Sequence, residues 1–144
     1  MIAVESPTLE MMEAERENIV QLPLGLLGFE TIKEYVLLTE PGQEPFRWLQ
    51  VLNDPSLAFL VVPPFDVLPD YAPQISPEDA RFLGLVKPSD ALLYNIVTLR
   101  NTGATVNLKG PIVINRYTLR GKQVVIANAA NYSLQHPLPA AEEA

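Results

Sequence analysis

The side chains that most often perform catalysis are scarce in this sequence of 144 residues. His136 is the single histidine and there is no cysteine, so a triad would depend on His136 and a thiolate nucleophile is excluded. His136 stands between Gln135 and Pro137, and the sequence indicates no second catalytic group to act with it. We therefore interpret His136 as a structural residue that holds the C-terminal part of the chain, and we predict no catalytic residues and no enzymatic activity.

Motifs for metal ions and phosphate groups are also missing. Without cysteine and with one histidine, a metal site would have to consist of carboxylates, and no Asp-x-Asp-x-Asp-Gly loop is present. Gly25 and Gly28 are not followed by Gly-Lys-Ser/Thr, and no G-x-G-x-x-G motif follows a strand pattern. The sequence therefore predicts no metal and no cofactor.

The composition is that of one globular domain. Hydrophobic residues make up 48% of the chain, which is enough for a core without disulfides or metal ions. The lack of cysteine, of an apolar run of about 18 residues and of a signal peptide favours a cytoplasmic protein without membrane contact. We expect a single domain over residues 1–144, a monomer, and a disordered tail after about residue 138.

Charge is distributed unevenly. Residues 1–44 carry a net charge of −7, residues 45–80 one of −4 and residues 81–144 one of +4. The N-terminal part is compatible with a helix from Ser6 to Glu17, or with a strand in which Glu13, Glu15 and Glu17 project from one side. Either structure leaves an acidic stripe, so these three glutamates are candidates for binding a basic partner.

The remaining pattern consists of short apolar segments separated by 14 prolines and 7 glycines. Such segments are typical of strands in an antiparallel sandwich or barrel. We predict strands over Asn18–Leu22, Glu34–Thr39, Phe46–Leu52, Leu57–Val62, Leu92–Leu99, Ile112–Leu119 and Lys122–Ala127. We predict turns at Asn53–Ser56, at Asn101–Gly103 and at Arg120-Gly121, where Gly121 would supply a positive φ.

One short helix is predicted between these strands. Ser76 is a suitable N-cap, Pro77 suits the first helical position, and the helix would end at about Leu83, before Gly84. The segment 63–73, which precedes it, contains four prolines and is predicted to be extended or irregular.

Direct RNA binding is the alternative that the residues leave open. Arg100, Lys109, Arg116, Arg120 and Lys122 lie on or beside predicted strands, with Tyr117 among them, as in oligonucleotide-binding barrels. The acidic remainder of the chain would repel phosphate groups. We therefore expect no direct nucleic-acid binding.

Six segments resemble the flagellar assembly factor FliW family in their order and spacing. They are Leu22–Glu30 (LPLGLLGFE), Phe46–Gln50 (FRWLQ), Leu57–Val61 (LAFLV), Val106–Asn115 (VNLKGPIVIN), Gly121–Val124 (GKQV) and Tyr132–Leu138 (YSLQHPL). The resemblance extends from about Ala3 to Leu138. Val51, Gly110 and Gln135 depart from the residues that are common in the family.

The resemblance implies an all-β fold, an antiparallel β-barrel-like domain with one or two short helices, and it favours extended structure for much of Ile2–Leu22. It also implies a non-enzymatic cytoplasmic protein that binds flagellin. When flagellin is exported, such a protein binds the RNA-binding regulator CsrA instead, antagonises it allosterically and relieves repression of flagellin synthesis.

The chemistry of individual side chains suggests where partners bind. We expect Glu13, Glu15 and Glu17 to face a basic partner. We expect Phe65, Val67, Leu68 and Tyr71, in the proline-rich segment, to be exposed and to bind an amphipathic helix of flagellin, since such a helix buries its apolar stripe in an apolar groove.

Overall fold

Antiparallel β-structure dominates the computed structural model, which describes residues 19–101 and 103–138. The strands are β1 (Ile19–Gln21), β2 (Glu34–Thr39), β3 (Arg47–Val51), β4 (Ala58–Val62), β5 (Ala91–Arg100), β6 (Gly103–Val106), β7 (Ile112–Asn115), β8 (Gly121–Gln123) and β9 (His136–Pro137). They pair in the order β1-β2-β3-β4-β5-β6-β9, and β7 pairs with both β5 and β8.

The long strand β5 gives the sheet its barrel-like shape. Its first residues, Ala91–Tyr94, pair with β7, whereas Val97–Arg100 pair with β6. The sheet therefore divides along β5 into two branches. An isolated bridge between Gln21 and Arg120 joins β1 to the residue before β8. The predicted all-β, barrel-like fold is confirmed, although this bridge does not extend into a ladder that closes the sheet.

The core contains two large apolar clusters, beside a small one of Val36, Leu38, Trp48 and Ala58. The first contains Val20, Leu22, Leu26, Tyr35, Leu49, Val51, Phe59, Val61, Tyr94, Ile112 and Ile114. The second contains Val62, Tyr71, Leu83, Val97, Ala104, Val106, Leu108, Val113, Val124 and Ile126. Because β-strand side chains alternate between faces, neighbouring residues such as Ile112 and Val113 contribute to different clusters.

Helix α1 (Pro77–Leu83) has the predicted bounds. The Ser76 Oγ accepts a hydrogen bond of 3.1 Å from the backbone N–H of Asp79, which satisfies one of the free N–H groups of the first turn. Gly84 follows the last residue with φ of 70°, a left-handed conformation that glycine adopts without steric cost. Local residues therefore determine both ends of α1.

The connection between β7 and β8 differs from the prediction. The predicted strand Ile112–Leu119 ends at Asn115, because the Asn115 Oδ1 accepts hydrogen bonds from the backbone N–H groups of Tyr117 and Thr118 and forms a turn. Leu119, with φ of 59°, has the positive φ that we assigned to Gly121. Gly121 begins β8, where an added Cβ would lie 2.9 Å from the Leu22 Cδ2.

The other predicted connections have mixed outcomes. The turn at Asn53–Ser56 is confirmed, since the Asp54 Oδ1 accepts hydrogen bonds from the N–H and hydroxyl groups of Ser56. Strand β6 begins at Gly103, as expected for a turn at Asn101–Gly103. Strand β8 ends at Gln123, so the predicted strand Lys122–Ala127 is too long. The predictions for the N-terminal 17 residues and for the tail after residue 138 lie outside the described residues.

Candidate functional site

An apolar groove of about 500 Å³ lies between the proline-rich segment, helix α1 and the start of β5. Its walls come from three stretches of sequence that the fold brings together. The lining residues are Phe65, Tyr71, Pro73, Ile75, Ala80, Leu85, Val86, Lys87, Pro88, Ala91 and Leu93. Ten of these eleven side chains are uncharged, so the groove is suited to binding an apolar surface.

Tyr71 joins the groove to the core. Its hydroxyl donates a hydrogen bond of 2.6 Å to the backbone carbonyl oxygen of Leu108, and its ring packs edge-on against Tyr132 with centroids 4.7 Å apart. Burial raises the pKa of Tyr71 to about 12. Tyr71 is 3% exposed. The prediction that it is exposed is therefore wrong, because the phenol is anchored inside the second core cluster.

The other predicted residues of the proline-rich segment have different positions. Phe65 is 49% exposed, and its ring centroid lies 6.1 Å from that of Tyr71. Val67 and Leu68 are half-buried and pack against the second core cluster, so they are not among the groove residues. Pro64–Asp66 forms a 3₁₀ turn, and after it the chain directs these two side chains inward. The structure therefore brings Phe65 and Tyr71 together in the groove and leaves Val67 and Leu68 outside it.

The loop that follows α1 forms another part of the groove rim. Val86 is 91% exposed at the groove. The Asp90 carboxylate accepts hydrogen bonds of 3.0 Å and 3.1 Å from the backbone N–H groups of Val86 and Lys87. These bonds lower the pKa of Asp90 from its ordinary value, since they stabilise the charged carboxylate. We did not predict this rim, and the only signal for it is an apolar pair, Leu85-Val86, between Gly84 and Lys87.

Helix α1, which carries Ala80 of the groove wall, is fixed to the sheet by a cluster of charges. The Lys122 Nζ of β8 lies 2.5 Å from the Oδ1 of Asp79, and both side chains are largely buried. The Arg120 guanidinium lies over the ring of Phe82, 4.4 Å from its centroid. The ion pair and the cation–π contact connect one face of α1 to the β7–β8 hairpin. The groove therefore has a rigid wall on this side.

The basic residues considered for RNA binding are largely engaged in contacts within the protein. Lys109 donates a hydrogen bond of 2.7 Å to the carbonyl oxygen of Ala129, while Lys122 and Arg120 hold α1 as described above. A side chain that already has a partner contributes less to binding a phosphate backbone. This arrangement favours a structural role for three of the five basic residues.

The structure also locates His136 and allows a search for metal sites and membrane-spanning helices among the described residues. His136 lies in β9, where it pairs with Val106 of β6, so it connects the C-terminal part of the described chain to the sheet. Within residues 19–101 and 103–138, no group of three or more His, Cys, Asp or Glu residues has the arrangement of a metal site. In the same residues, no helix has the length and apolarity needed to cross a membrane. Glu13, Glu15 and Glu17 lie outside the described residues.

The geometry is typical of a protein-binding module, because a barrel-like domain presents an apolar groove with an exposed aromatic and an exposed aliphatic side chain on its rims. A model of the family described as FliW protein matches residues 3–138. The chain is 34% identical over 137 residues to the flagellar assembly factor FliW of Leptospira biflexa serovar Patoc, covering 93% of this chain and 89% of that one.

Further relatives agree with this match. The flagellar assembly factor FliW of Syntrophus aciditrophicus is 36% identical over 121 residues, which cover 83% of this chain and 77% of that one. A crystal structure of the flagellar assembly factor FliW is similar with a TM-score of 0.77 and 35% identity, over 85% of this chain and 87% of that chain. This chain therefore belongs to the FliW family of flagellar assembly factors, as its sequence motifs predicted.

Proposed function

We propose that this protein is a cytoplasmic partner-exchange regulator of flagellin synthesis. It binds newly made flagellin, and when flagellin is exported it binds CsrA, antagonises it allosterically and relieves repression of flagellin translation. Family membership supports the role in flagellar assembly. The protein acts by binding rather than by catalysis, which agrees with a site built of apolar side chains.

The apolar groove is the observation that carries the flagellin half of this proposal. Phe65 and Val86 are exposed residues of the groove lining, and the buried Tyr71, whose ring centroid lies 6.1 Å from that of Phe65, belongs to the same lining. An amphipathic helix presents apolar side chains at i, i+3, i+4 and i+7, so that one stripe could contact several of these residues. Burial of Phe65 and Val86 against such a stripe would contribute a few kcal/mol in total, at roughly 1.5–3 kcal/mol for a large apolar side chain.

The acidic N-terminal residues support the CsrA half. Glu13, Glu15 and Glu17 belong to a stretch with a net charge of −7 over residues 1–44. Clustered negative charge attracts a basic protein surface and accelerates association at low ionic strength. We propose that these three glutamates contact CsrA.

Calorimetry with purified partners tests the proposal. The protein is titrated with flagellin and, separately, with CsrA, and an RNA gel shift then measures whether it releases a flagellin leader RNA from CsrA. We expect saturable binding to each protein and release of the RNA. Absence of binding to both partners at concentrations of about 1–10 μM would contradict the proposal, since a specific complex of ordinary size is at least this stable.

A charge-reversal variant tests the contact with CsrA. Replacement of Glu13, Glu15 and Glu17 by lysine should slow association with CsrA mainly at low salt, because the effect is electrostatic. Replacement of the exposed Glu44, Asp70 and Glu78 by lysine changes the net charge by the same amount and is the control for a general loss of negative charge. Equal association rates for the two variants would refute this assignment.

The RNA gel shift also tests the nucleic-acid-binding alternative. Retention of RNA by the protein alone, without CsrA, would support that alternative.

A further inference from the structure

A second cavity, of about 270 Å³, is lined by residues of β1, β2, β3, β5 and the β7–β8 hairpin. Its apolar lining consists of the buried Val20 and Ile114 and of the partly exposed Leu37, Leu92 and Leu119. Its position is close to the place where the single bridge between Gln21 and Arg120 joins β1 to the β7–β8 hairpin. Cavities with mostly apolar walls and a few convergent polar groups are frequent ligand sites.

Arg47 supplies the charge in this cavity. It pairs with Thr39 in the register of β2 and β3, so both side chains are on the same face of the sheet and both line the cavity. The Arg47 guanidinium lies over the ring of Tyr94, 5.6 Å from its centroid. The Tyr94 ring, which is itself buried, therefore fixes the cation at the cavity wall through a cation–π contact.

The guanidinium of Arg47 has no other partner within residues 19–101 and 103–138. The ion pair among these residues joins Lys122 and Asp79 and does not involve Arg47, and no hydrogen bond from Arg47 is found there. A half-buried guanidinium has lost part of its hydration, and its five N–H donors are costly to leave unpaired. An incoming acceptor would therefore gain the full benefit of a charge-assisted interaction.

We propose that this cavity binds a carboxylate that carries an apolar group of about four to six carbon atoms. The planar guanidinium matches a carboxylate in a bidentate arrangement. Thr39 adds a hydroxyl group to the lining, and the partly exposed Leu37, Leu92 and Leu119 offer an apolar surface to the hydrocarbon. A phosphate group fits less well, because it brings up to two charges and more acceptors than one arginine and one threonine satisfy. The site is separate from the apolar groove and does not depend on the function proposed for it.

Two sources can supply this chemistry, a free short-chain carboxylic acid and the C-terminal carboxylate of a peptide with an apolar last residue. Methyl NMR titrations with hexanoate and with N-acetyl-leucine distinguish them, and N-acetyl-leucinamide removes the charge while it keeps the side chain. We expect saturable shifts of the Leu37, Leu92 and Leu119 methyl signals with the carboxylates, and binding at least about tenfold weaker for the amide. Tighter binding of hexanoate indicates a free acid, and tighter binding of N-acetyl-leucine indicates a peptide terminus.

Variants of Arg47 complete the test. Arg47→Met should weaken binding of both carboxylates at least about tenfold. Arg47→Lys should weaken it less, because the ammonium group keeps the positive charge but cannot form the bidentate hydrogen bonds of a guanidinium. Arg100→Met is the matched control, since Arg100 is exposed at the end of β5 and does not line the cavity. If Arg47→Met does not fold, the carboxylate affinity of Arg47→Lys is compared with that of the parent protein instead. Absence of saturable shifts up to about 10 mM, or equal binding of the amide, or unchanged binding by the Arg47 variants, would overturn the proposal.

Discussion

The hydroxyl group of Tyr71 and the backbone carbonyl oxygen of Leu108 are joined by a hydrogen bond of 2.6 Å. The two residues are 37 positions apart in sequence, so this bond attaches the proline-rich segment to the loop before β7 and fixes the base of the apolar groove. We predict that Tyr71→Phe lowers the free energy of unfolding by about 1–2 kcal/mol, because the buried Leu108 carbonyl loses its partner. Urea denaturation measures this change.

Tyr35 provides the matched control for this prediction. It is fully buried, and its hydroxyl has no hydrogen-bond partner among the described residues. Tyr35→Phe therefore removes a buried polar group without breaking a hydrogen bond, and it should leave the free energy of unfolding unchanged or raise it by about 1 kcal/mol. Equal destabilisation by the two substitutions would show that the hydrogen bond between Tyr71 and Leu108 does not stabilise the fold.

The same two tyrosines determine stability at alkaline pH. Burial raises the pKa of Tyr35 and of Tyr71 from 10.0 to about 12. Since the folded protein retains these protons more strongly than the unfolded chain, the contribution is complete below pH 10 and is lost as the pH rises to about 12. The expected loss is about 2–3 kcal/mol for each tyrosine. Between these pH values, the free energy of unfolding should decrease less with rising pH for either Phe variant than for the parent protein.

The sequence predicted those parts of the fold that local residues determine. Helix α1 has its predicted bounds because its cap Ser76, its first residue Pro77 and its terminating Gly84 all lie within a few positions of the element. The end of β7 was missed because Asn115 forms a turn through its own side chain. Gly121 was assigned a positive φ, whereas its small size is required by the contact with Leu22, which is distant in sequence.

The candidate site was predicted less completely, for a related reason. Phe65 and Tyr71 were identified together with Val67 and Leu68 as apolar residues of the proline-rich segment, but the sequence does not show which of the four pack against the core instead of lining the groove. Val86 was missed, since one valine beside Gly84 has no periodic pattern to mark it. Its exposure depends on the folding of the loop around Asp90, and the groove exists only where that loop meets residues of the proline-rich segment.

Asp90 should make the groove rim sensitive to acid. The backbone N–H groups of Val86 and Lys87 lower the pKa of its carboxyl below the ordinary 3.8. Its contribution is therefore present above that value and is lost as the pH falls through the folded-state pKa. We predict that Asp90→Asn lowers the Tm at pH 7, and that the difference from the parent protein disappears in strongly acidic solution. A difference that is constant with pH would contradict the role of the charge.

The ion pair between Lys122 and Asp79 should fix helix α1. Lys122→Met leaves the buried Asp79 carboxylate without its partner, and we expect it to lower the free energy of unfolding by about 2 kcal/mol. The double variant with Asp79→Asn removes the unpaired charge and should recover part of the loss. Chemical denaturation of both single variants and the double variant gives the coupling free energy, which should be about 1–2 kcal/mol. Additive effects would show that the two residues act independently.

Flagellin binding by groove variants tests the central claim most directly. Val86 and Val125 are both exposed valines, at 91% and 68%, but only Val86 lines the groove. Titration calorimetry with purified flagellin should show that Val86→Asp weakens binding at least about tenfold, because an aspartate on the rim places a charge against the apolar stripe of the bound helix. Val125→Asp should bind like the parent protein. Unchanged affinity of the Val86→Asp variant, measured beside a parent protein that binds, would contradict the assignment of the groove to flagellin.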